Sequence, residues 1–306
     1  MKFSFLTVSI VWLAFGCAFV FGQDKQAPAG KPVLWEPAEI SSRDLFLGPG
    51  GSAMVPNFEK AKFLGDQAGG NNLKYRIQDS AGHQWVVKMA DESQPEVAAV
   101  RLLWAIGYPT EINYIVPKMN ISGKGSYKNL RAEARPENIK RLDRWSWMDN
   151  PFKGSREFDG LKLMMAMLNN WDLKDENNVI LQQGDKHYYA IADLGSSFGR
   201  GADTPGGRAG RSVNKPQDYA SSGFIKGIEN GEVALEFKTY NDSYIKGIKV
   251  ENARWLADLL MQLSDKQIED AFRAANYSPA DVKTLARAFR QRIDRLDQVT
   301  KQAAAN

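Results

Sequence analysis

Cysteine is almost absent from this 306-residue sequence: Cys17 stands alone, inside an apolar stretch near the start. Beyond that stretch there is no thiol, which excludes disulfides, cysteine metal sites and cysteine nucleophiles there. Histidine is nearly as scarce, with only His83 and His187. Two isolated histidines cannot build a histidine-rich zinc site, and neither stands in an H-E-x-x-H pattern. A Ser-His-Asp hydrolase is excluded on the same inventory, because no G-x-S-x-G elbow accompanies either one. Charge of one sign is also lacking: 40 Lys and Arg against 36 Asp and Glu leave +4. Without a basic stripe interleaved with aromatics, nucleic acid is not an expected partner. No internal repeat is visible. The 43% hydrophobic and 25% charged content is that of a globular protein. The length suits one large domain or two lobes sharing a cleft.

The start of the chain reads as an export segment. Lys2 precedes an apolar run over residues 3–21, then Gly22 and the polar Gln23, Asp24, Lys25 and Gln26. A positive start, an apolar core and a small residue at its end describe a secretory signal peptide over 1–22, cut after Val20-Phe21-Gly22. The run is also long enough to remain as a membrane tether through residues 3–22. A third option is lipid attachment at Cys17, after Ala14-Phe15-Gly16. Each option places the remaining chain outside the cytoplasm, periplasmic or secreted.

Residues 23–62 read as a linker and N-terminal extension, flexible at first and with a strand fragment at 45–47 ended by the turn residues of 48–51. A Gly-containing loop over 65–72 follows. A hairpin comes next: alternation over 73–77, turn residues Asp79 to Gly82, and a second strand over 84–89. Pro95 and Glu96 open an amphipathic helix through Val97, Val100, Leu102, Leu103 and Ile106, closing near Gly107. Residues 111–117 read as a strand and 130–134 as a further strand candidate. Helical periodicity then takes over, at 158–168, 253–263, 265–275 and 279–301. Short strands are expected at 179–181 and 188–191, and a loop over 199–222. The expected class is α+β, with a β-rich N-lobe over 63–135 and a mainly helical C-lobe over 136–306.

One segment concentrates chemistry. Asp172-Leu173-Lys174 leads through Glu176 to Asn177, and Asp193-Leu194-Gly195 follows a pair of short strands. Together they resemble the catalytic loop and metal-binding turn of the protein-kinase-like superfamily. Upstream, Val86-Val87-Lys88 resembles its third-strand lysine motif, and the hairpin with Gly65, Gly69 and Gly70 before it resembles its phosphate-covering hairpin. The resemblance implies a two-lobed kinase-like fold and transfer of a phosphoryl group from Mg-ATP to a hydroxyl acceptor. Such transfer needs positioning and charge neutralisation more than covalent help. Lys88 would hold the nucleotide phosphates, with Glu96, inside the helix, preferred over the nearby Glu92 as its partner. Asn177 and Asp193 would hold Mg2+. Asp172 would accept or orient the acceptor hydroxyl, and Lys174 would reach the transferring phosphate.

The sequence departs from the usual pattern. Asn170-Trp171-Asp172 replaces His-Arg-Asp, no Ala-Pro-Glu follows, and the interval from Lys88 to Glu96 is short. These features resemble an atypical branch of HipA-like, CotH-like or secretory-pathway kinases. Trp145-Ser146-Trp147 and residues 169–178 resemble segments of a group of exported, uncharacterised bacterial proteins. The acceptor class stays open between protein, glycan and small molecule. Because extracytoplasmic spaces hold little ATP, the alternative is a non-catalytic kinase-like module that binds a nucleotide, a glycan or a protein. Nucleotidyl transfer is a third reading. Trp171 stands where many protein kinases carry a phosphate-clamping arginine, and its indole can only pack or donate one hydrogen bond. Activity is therefore expected not to depend on phosphorylation of Thr204, Ser212, Ser221 or Ser222.

Overall fold

A computed structural model describes residues 30–69, 72–203, 207 and 209–305. The export segment, Gly70, Thr204 and Arg208 lie outside the described residues. After residue 30 the chain does not run as a free linker: β1 (Lys31–Val33) pairs in parallel with a strand far along the sequence, Val33 opposite Tyr188. The strand expected at 45–47 is instead a turn. Asp44 Oδ1 accepts the N–H groups of Phe46 at 2.9 Å and Leu47 at 3.0 Å. That side chain supplies the partners a sheet ladder would have supplied, so the segment curls.

The first sheet contains β2 (Lys62–Asp66), β3 (Lys74–Gln78) and β4 (Gln84–Lys88). After α1 (Ser93–Ala105) it is completed by β5 (Asn113–Ile121) and β6 (Gly125–Ala134). Its order is β2-β3-β4-β6-β5, antiparallel throughout. Alternation decides its faces. Tyr75, Ile77, Trp85, Val87, Tyr114 and Ala132 bury one side together. Lys88, Arg131 and Glu133 point to the other, where α1 packs. The strand β2 was not expected: four of its five residues are exposed, so no burial pattern marks it. It is an edge strand held by its ladder to β3, and it shortens the glycine loop to residues 67–73.

The second half is mainly helical. β7 (Lys140–Arg141), α2 (Arg156–Leu168), β8 (Asn178–Gln183) and β9 (Lys186–Ile191) come first. The strands form a sheet of order β1-β9-β8-β7. Within the expected 199–222 loop lies α3 (Pro216–Ser221), started by a proline whose missing N–H costs nothing at a helix's first position. The pair β10 (Ile225–Glu229) and β11 (Glu232–Leu235) follows, then α4 (Val250–Leu260), α5 (Asp265–Ala274) and α6 (Pro279–Ala305). Ser264 and Gln267 form a reciprocal capping box at the start of α5. One hydrophobic core joins α1 to α2, α4, α5 and α6. Among the described residues no helix is long and apolar enough to cross a membrane. The observed class is α+β, a small sheet-rich lobe against a mainly helical one.

Candidate active site

The site forms where β4, α1 and the β8–β9 hairpin meet. Lys88 is the last residue of β4 and only 3% exposed. Its ammonium lies 3.0 Å from Glu92 Oε2, 3.4 Å from Asp193 Oδ2 and 3.7 Å from Glu96 Oε2. Both helix-start carboxylates therefore flank the lysine. Glu92, which the sequence reading set aside, is the nearer one. It sits at the mouth, partly exposed, where Asn72 Nδ2 also donates to it at 3.2 Å.

Glu96 is deeper and shared. Its Oε1 accepts Arg131 Nη1, and Arg131 Nη2 in turn lies 2.6 Å from Glu133 Oε2. Arg135 extends the chain to Glu133, and Arg141 binds Glu111 beside it. Burial alone would push the Glu133 carboxyl up, but Arg131 and Arg135 outweigh it and hold that carboxyl below the usual range. Arg131 and Glu133 escaped the sequence reading because they look like ordinary polar residues on a strand. Only their register places them: Arg131 lies opposite Lys88, and Glu133 opposite Val86.

The β8–β9 hairpin aligns the candidate metal ligands. Asn177 precedes β8, and Asp193 follows β9 by two residues. The N–H of Asp193 donates to the carbonyl of Asn177 at 3.2 Å, and that of Ala192 to the same oxygen at 2.7 Å. Asn177 Nδ2 donates to the Asp172 carbonyl at 2.6 Å and to Asp172 Oδ2 at 3.1 Å. That commits the amide nitrogen and leaves Oδ1 for a ligand. Asp193 Oδ1 accepts Gly195 N–H at 3.1 Å, and Oδ2 faces Lys88. Two hard oxygen donors of this kind fit Mg2+, which uses one or two protein groups together with phosphates and water. Among the described residues no group of three or more His, Cys, Asp and Glu could hold a metal unaided. Gly195 permits the closure: a Cβ there would lie 2.6 Å from Glu92 Cβ and 3.2 Å from Asp193 Oδ1.

Asp172 is half-buried, with Oδ1 2.6 Å from Lys174 Nζ. Lys174 also stands 4.9 Å over the Tyr240 ring. Trp171 packs as its chemistry requires. Arg211 lies over its ring at 4.5 Å, and its Nε1 donates to the Ser212 carbonyl at 3.2 Å. The 172–178 segment is held from beneath. Trp145 and Trp147 are buried: Trp145 accepts Asn178 Nδ2 on its carbonyl at 2.8 Å, and Trp147 N–H donates to Asp175 Oδ1 at 3.0 Å.

The structure thus brings Lys88, Glu96, Asp193, Asn177, Asp172 and Lys174 into one contiguous network. The glycines are less engaged. Gly65 lies within β2 opposite Arg76, at a register shift, and is not a loop residue. Gly69 has open space around it. Gly70 lies outside the described residues.

No protein-family model matches this sequence, and no curated protein does. Solved structures do. The proinflammatory kinase CtkA of Helicobacter pylori is similar over 81% of this chain and 99% of its own, with a TM-score of 0.51 at 10% identity. The Golgi casein kinase overlaps 86% of this chain and 77% of its own, with a TM-score of 0.40 at 9% identity. The amicoumacin kinase hAmiN, solved with AMP-PNP, Ca2+ and Ami, overlaps 80% and 91%, with a TM-score of 0.27 at 14% identity. The likeness to CtkA establishes the fold: this chain is protein-kinase-like in architecture.

Proposed function

We propose that this kinase-like chain is a phosphotransferase of an atypical branch, moving the γ-phosphoryl group of Mg-ATP to a hydroxyl acceptor. The observation that carries the reading is the shared position of Lys88, Asp193 and Asn177, with Asp172 tied to Asn177 by two hydrogen bonds. Phosphoryl transfer demands positioning and neutralisation of charge, and this arrangement supplies both.

In this reading Lys88 binds the α- and β-phosphates, and its carboxylate neighbours fix the ammonium's position. Asn177 Oδ1 and the Asp193 carboxylate would hold Mg2+, which neutralises phosphate charge when bound. Asp172 orients the acceptor hydroxyl and takes its proton as the oxygen attacks the γ-phosphorus and the bond to ADP breaks. Lys174, paired with Asp172, reaches the transferring phosphate. Residues 1–22 direct the chain out of the cytoplasm, so its ATP comes from outside the cytoplasm as well.

The test is incubation of the purified chain with magnesium and γ-labelled ATP, followed by mass spectrometry of whatever becomes modified. Magnesium-dependent label transfer is expected, falling about 10²- to 10⁴-fold in Asp172→Ala and at least as far in Asp193→Ala. Binding of ATP without transfer to any acceptor would make the chain a binding module. Label transfer from α-labelled ATP would make it a nucleotidyl transferase. Fractionation of cells expressing the full chain or residues 23–306 checks export; equal distribution of the two would remove that part of the proposal.

A further inference from the structure

On the face of the first sheet that meets α1, one row carries a cation on each of three adjacent strands, before Ile115 of β5 closes it. Lys74 of β3 lies opposite Lys88 of β4, and Lys88 lies opposite Arg131 of β6. Like charges placed directly across strands repel, so such a row needs anions to compensate it. Two of the three cations have them. Arg131 is neutralised by Glu96 and Glu133, and Lys88 by Glu92, Glu96 and Asp193. Lys74 has no such contact: among the described residues no carboxylate lies within ion-pair distance of its ammonium and no hydrogen bond takes it up, and only the more distant Asp193 and Glu133 offset its charge.

Lys74 is nonetheless half-buried. Burial first, then the charges of Lys88 and Arg131, outweigh the opposing pull of Asp193 and Glu133 and hold its ammonium below the usual lysine range. An exposed strand lysine would escape to water at no cost. This one stays beside two cations at the mouth of the site, directly after the 67–73 loop. Lys74 and Lys88 stand on the same face of the sheet, in neighbouring strands. A chain of linked phosphates carries several oxyanions in line and can meet both.

We propose that Lys74 is a second phosphate-binding lysine, acting beside Lys88 on the oxyanions of a polyphosphate chain. This deepens the phosphotransferase reading and rests on it for the identity of the ligand. It also makes the site selective for triphosphates over nucleosides, because both lysines act on the phosphates alone.

Calorimetry on the full chain with inorganic tripolyphosphate, a non-hydrolysable ATP analogue and adenosine tests this. A charge-assisted hydrogen bond contributes enough for Lys74→Met to weaken tripolyphosphate and the ATP analogue about 10- to 100-fold. Adenosine binding should not move, and Lys74→Arg should recover most of the loss. The melting temperature of Lys74→Met should be unchanged or higher, since a half-buried cation with no ion-pair contact has been removed; a lysine kept for stability would show the reverse. Unaltered triphosphate affinity in Lys74→Met overturns the inference while leaving the phosphotransferase reading intact. Lys74-dependent binding of tripolyphosphate, with no added affinity from the nucleoside and no transfer, keeps the inference and overturns that reading. Wild type that binds neither tripolyphosphate nor the ATP analogue sinks both.

Discussion

Three carboxylates surround the Lys88 amine in its nearly water-free position, and these three are not equivalent. Glu96 is buried and shared with Arg131, whereas Glu92 is a third exposed, at the cleft mouth. Breaking a buried pair strands the other charge, which costs about 3 kcal/mol or more. Glu96→Gln is therefore expected to lower stability by about that amount, and Glu92→Gln by less than about 1 kcal/mol. Denaturant unfolding of both variants checks this; equal losses would show that the depth of the two carboxylates does not set their contribution. Glu133 adds a pH dependence. Its carboxyl is held below the ordinary range in the folded chain. The folded state therefore keeps the charged form where the unfolded chain takes up a proton. That contribution is complete above the ordinary carboxylate range and is lost as pH falls through the lowered folded value. Unfolding free energies measured between about pH 3 and pH 6 should show a slope that flattens in Glu133→Gln.

At the scale of elements, the 170–177 segment hangs from a fixed point at the end of α2. Ahead of it, Asn169 ends α2 in a left-handed conformation, φ +52°. Its side chain donates to the Gly199 carbonyl at 2.9 Å and to Ser222 Oγ at 2.6 Å. Arg292 of α6, itself buried, donates to Asn169 Oδ1 at 2.9 Å, to Ser222 Oγ at 2.9 Å and to carbonyls of α2 and α3. Ser222 is thus an acceptor inside the fold. Ser212 likewise accepts the Arg200 N–H at 2.9 Å and donates to Asp218 at 2.6 Å. Replacing the loop's hydroxyls all at once would disrupt these networks and say little about phosphorylation. The discriminating pair is Ser221, whose hydroxyl is at the surface, and Ser222. Ser221→Ala should leave stability within about 0.5 kcal/mol and turnover unchanged. Ser222→Ala should cost about 2 kcal/mol, because two buried donors lose their acceptor. Thermal melts and turnover of both, with Thr204→Ala, decide it; a large turnover loss in Ser221→Ala or Thr204→Ala restored by aspartate would revive phosphorylation control.

For the molecule as a whole, the N-terminal extension joins the two lobes. β1 pairs with β9 of the helical lobe, while Trp35 Nε1 donates to the Ile106 carbonyl at 2.6 Å, just past α1. Glu36 N–H donates to the Gly107 carbonyl at 3.0 Å, and Gly107, at φ +100°, has no room for a Cβ beneath Trp35. Tyr114 of β5 donates to the Gly51 carbonyl at 2.8 Å. From the other lobe Gln267 of α5 donates to the carbonyls of Ile40 and Arg43 at 2.7 and 3.0 Å. One strap therefore touches the sheet, α1, β9 and α5. Trp35→Ala is expected to lower stability by about 2 kcal/mol, through lost packing and an orphaned carbonyl. Hydrogen exchange should then rise in α1 and in β9 together; a rise in only one would mean that the extension decorates a lobe and does not couple the two.

The sequence by itself determined the periodic elements and the local chemical clusters. Alternation at 73–77 and 84–89, the helical spacing after Pro95 and the run from Asp172 to Asn177 are short-range patterns, set by side-chain period and loop length. What the sequence could not carry was anything decided by register or by remote partners. The edge strand β2 has no burial pattern of its own, and 45–47 curls because Asp44 binds its own backbone. Arg131 and Glu133 join the site only because β6 pairs with β4 in one register; a slip of one residue would turn both to the opposite face. Lys74 faces Lys88 for the same reason. Glu92 reaches Lys88 ahead of Glu96 because α1 begins at Ser93, two residues before the proline that marked its start. Arg292 reads as one more basic residue of a long helix until α6 packs across the end of α2. Charge pairing acts over a few ångströms of space whatever the separation along the chain, so tertiary structure decided which charges neutralise one another and which, like Lys74, have no ion-pair contact among the described residues.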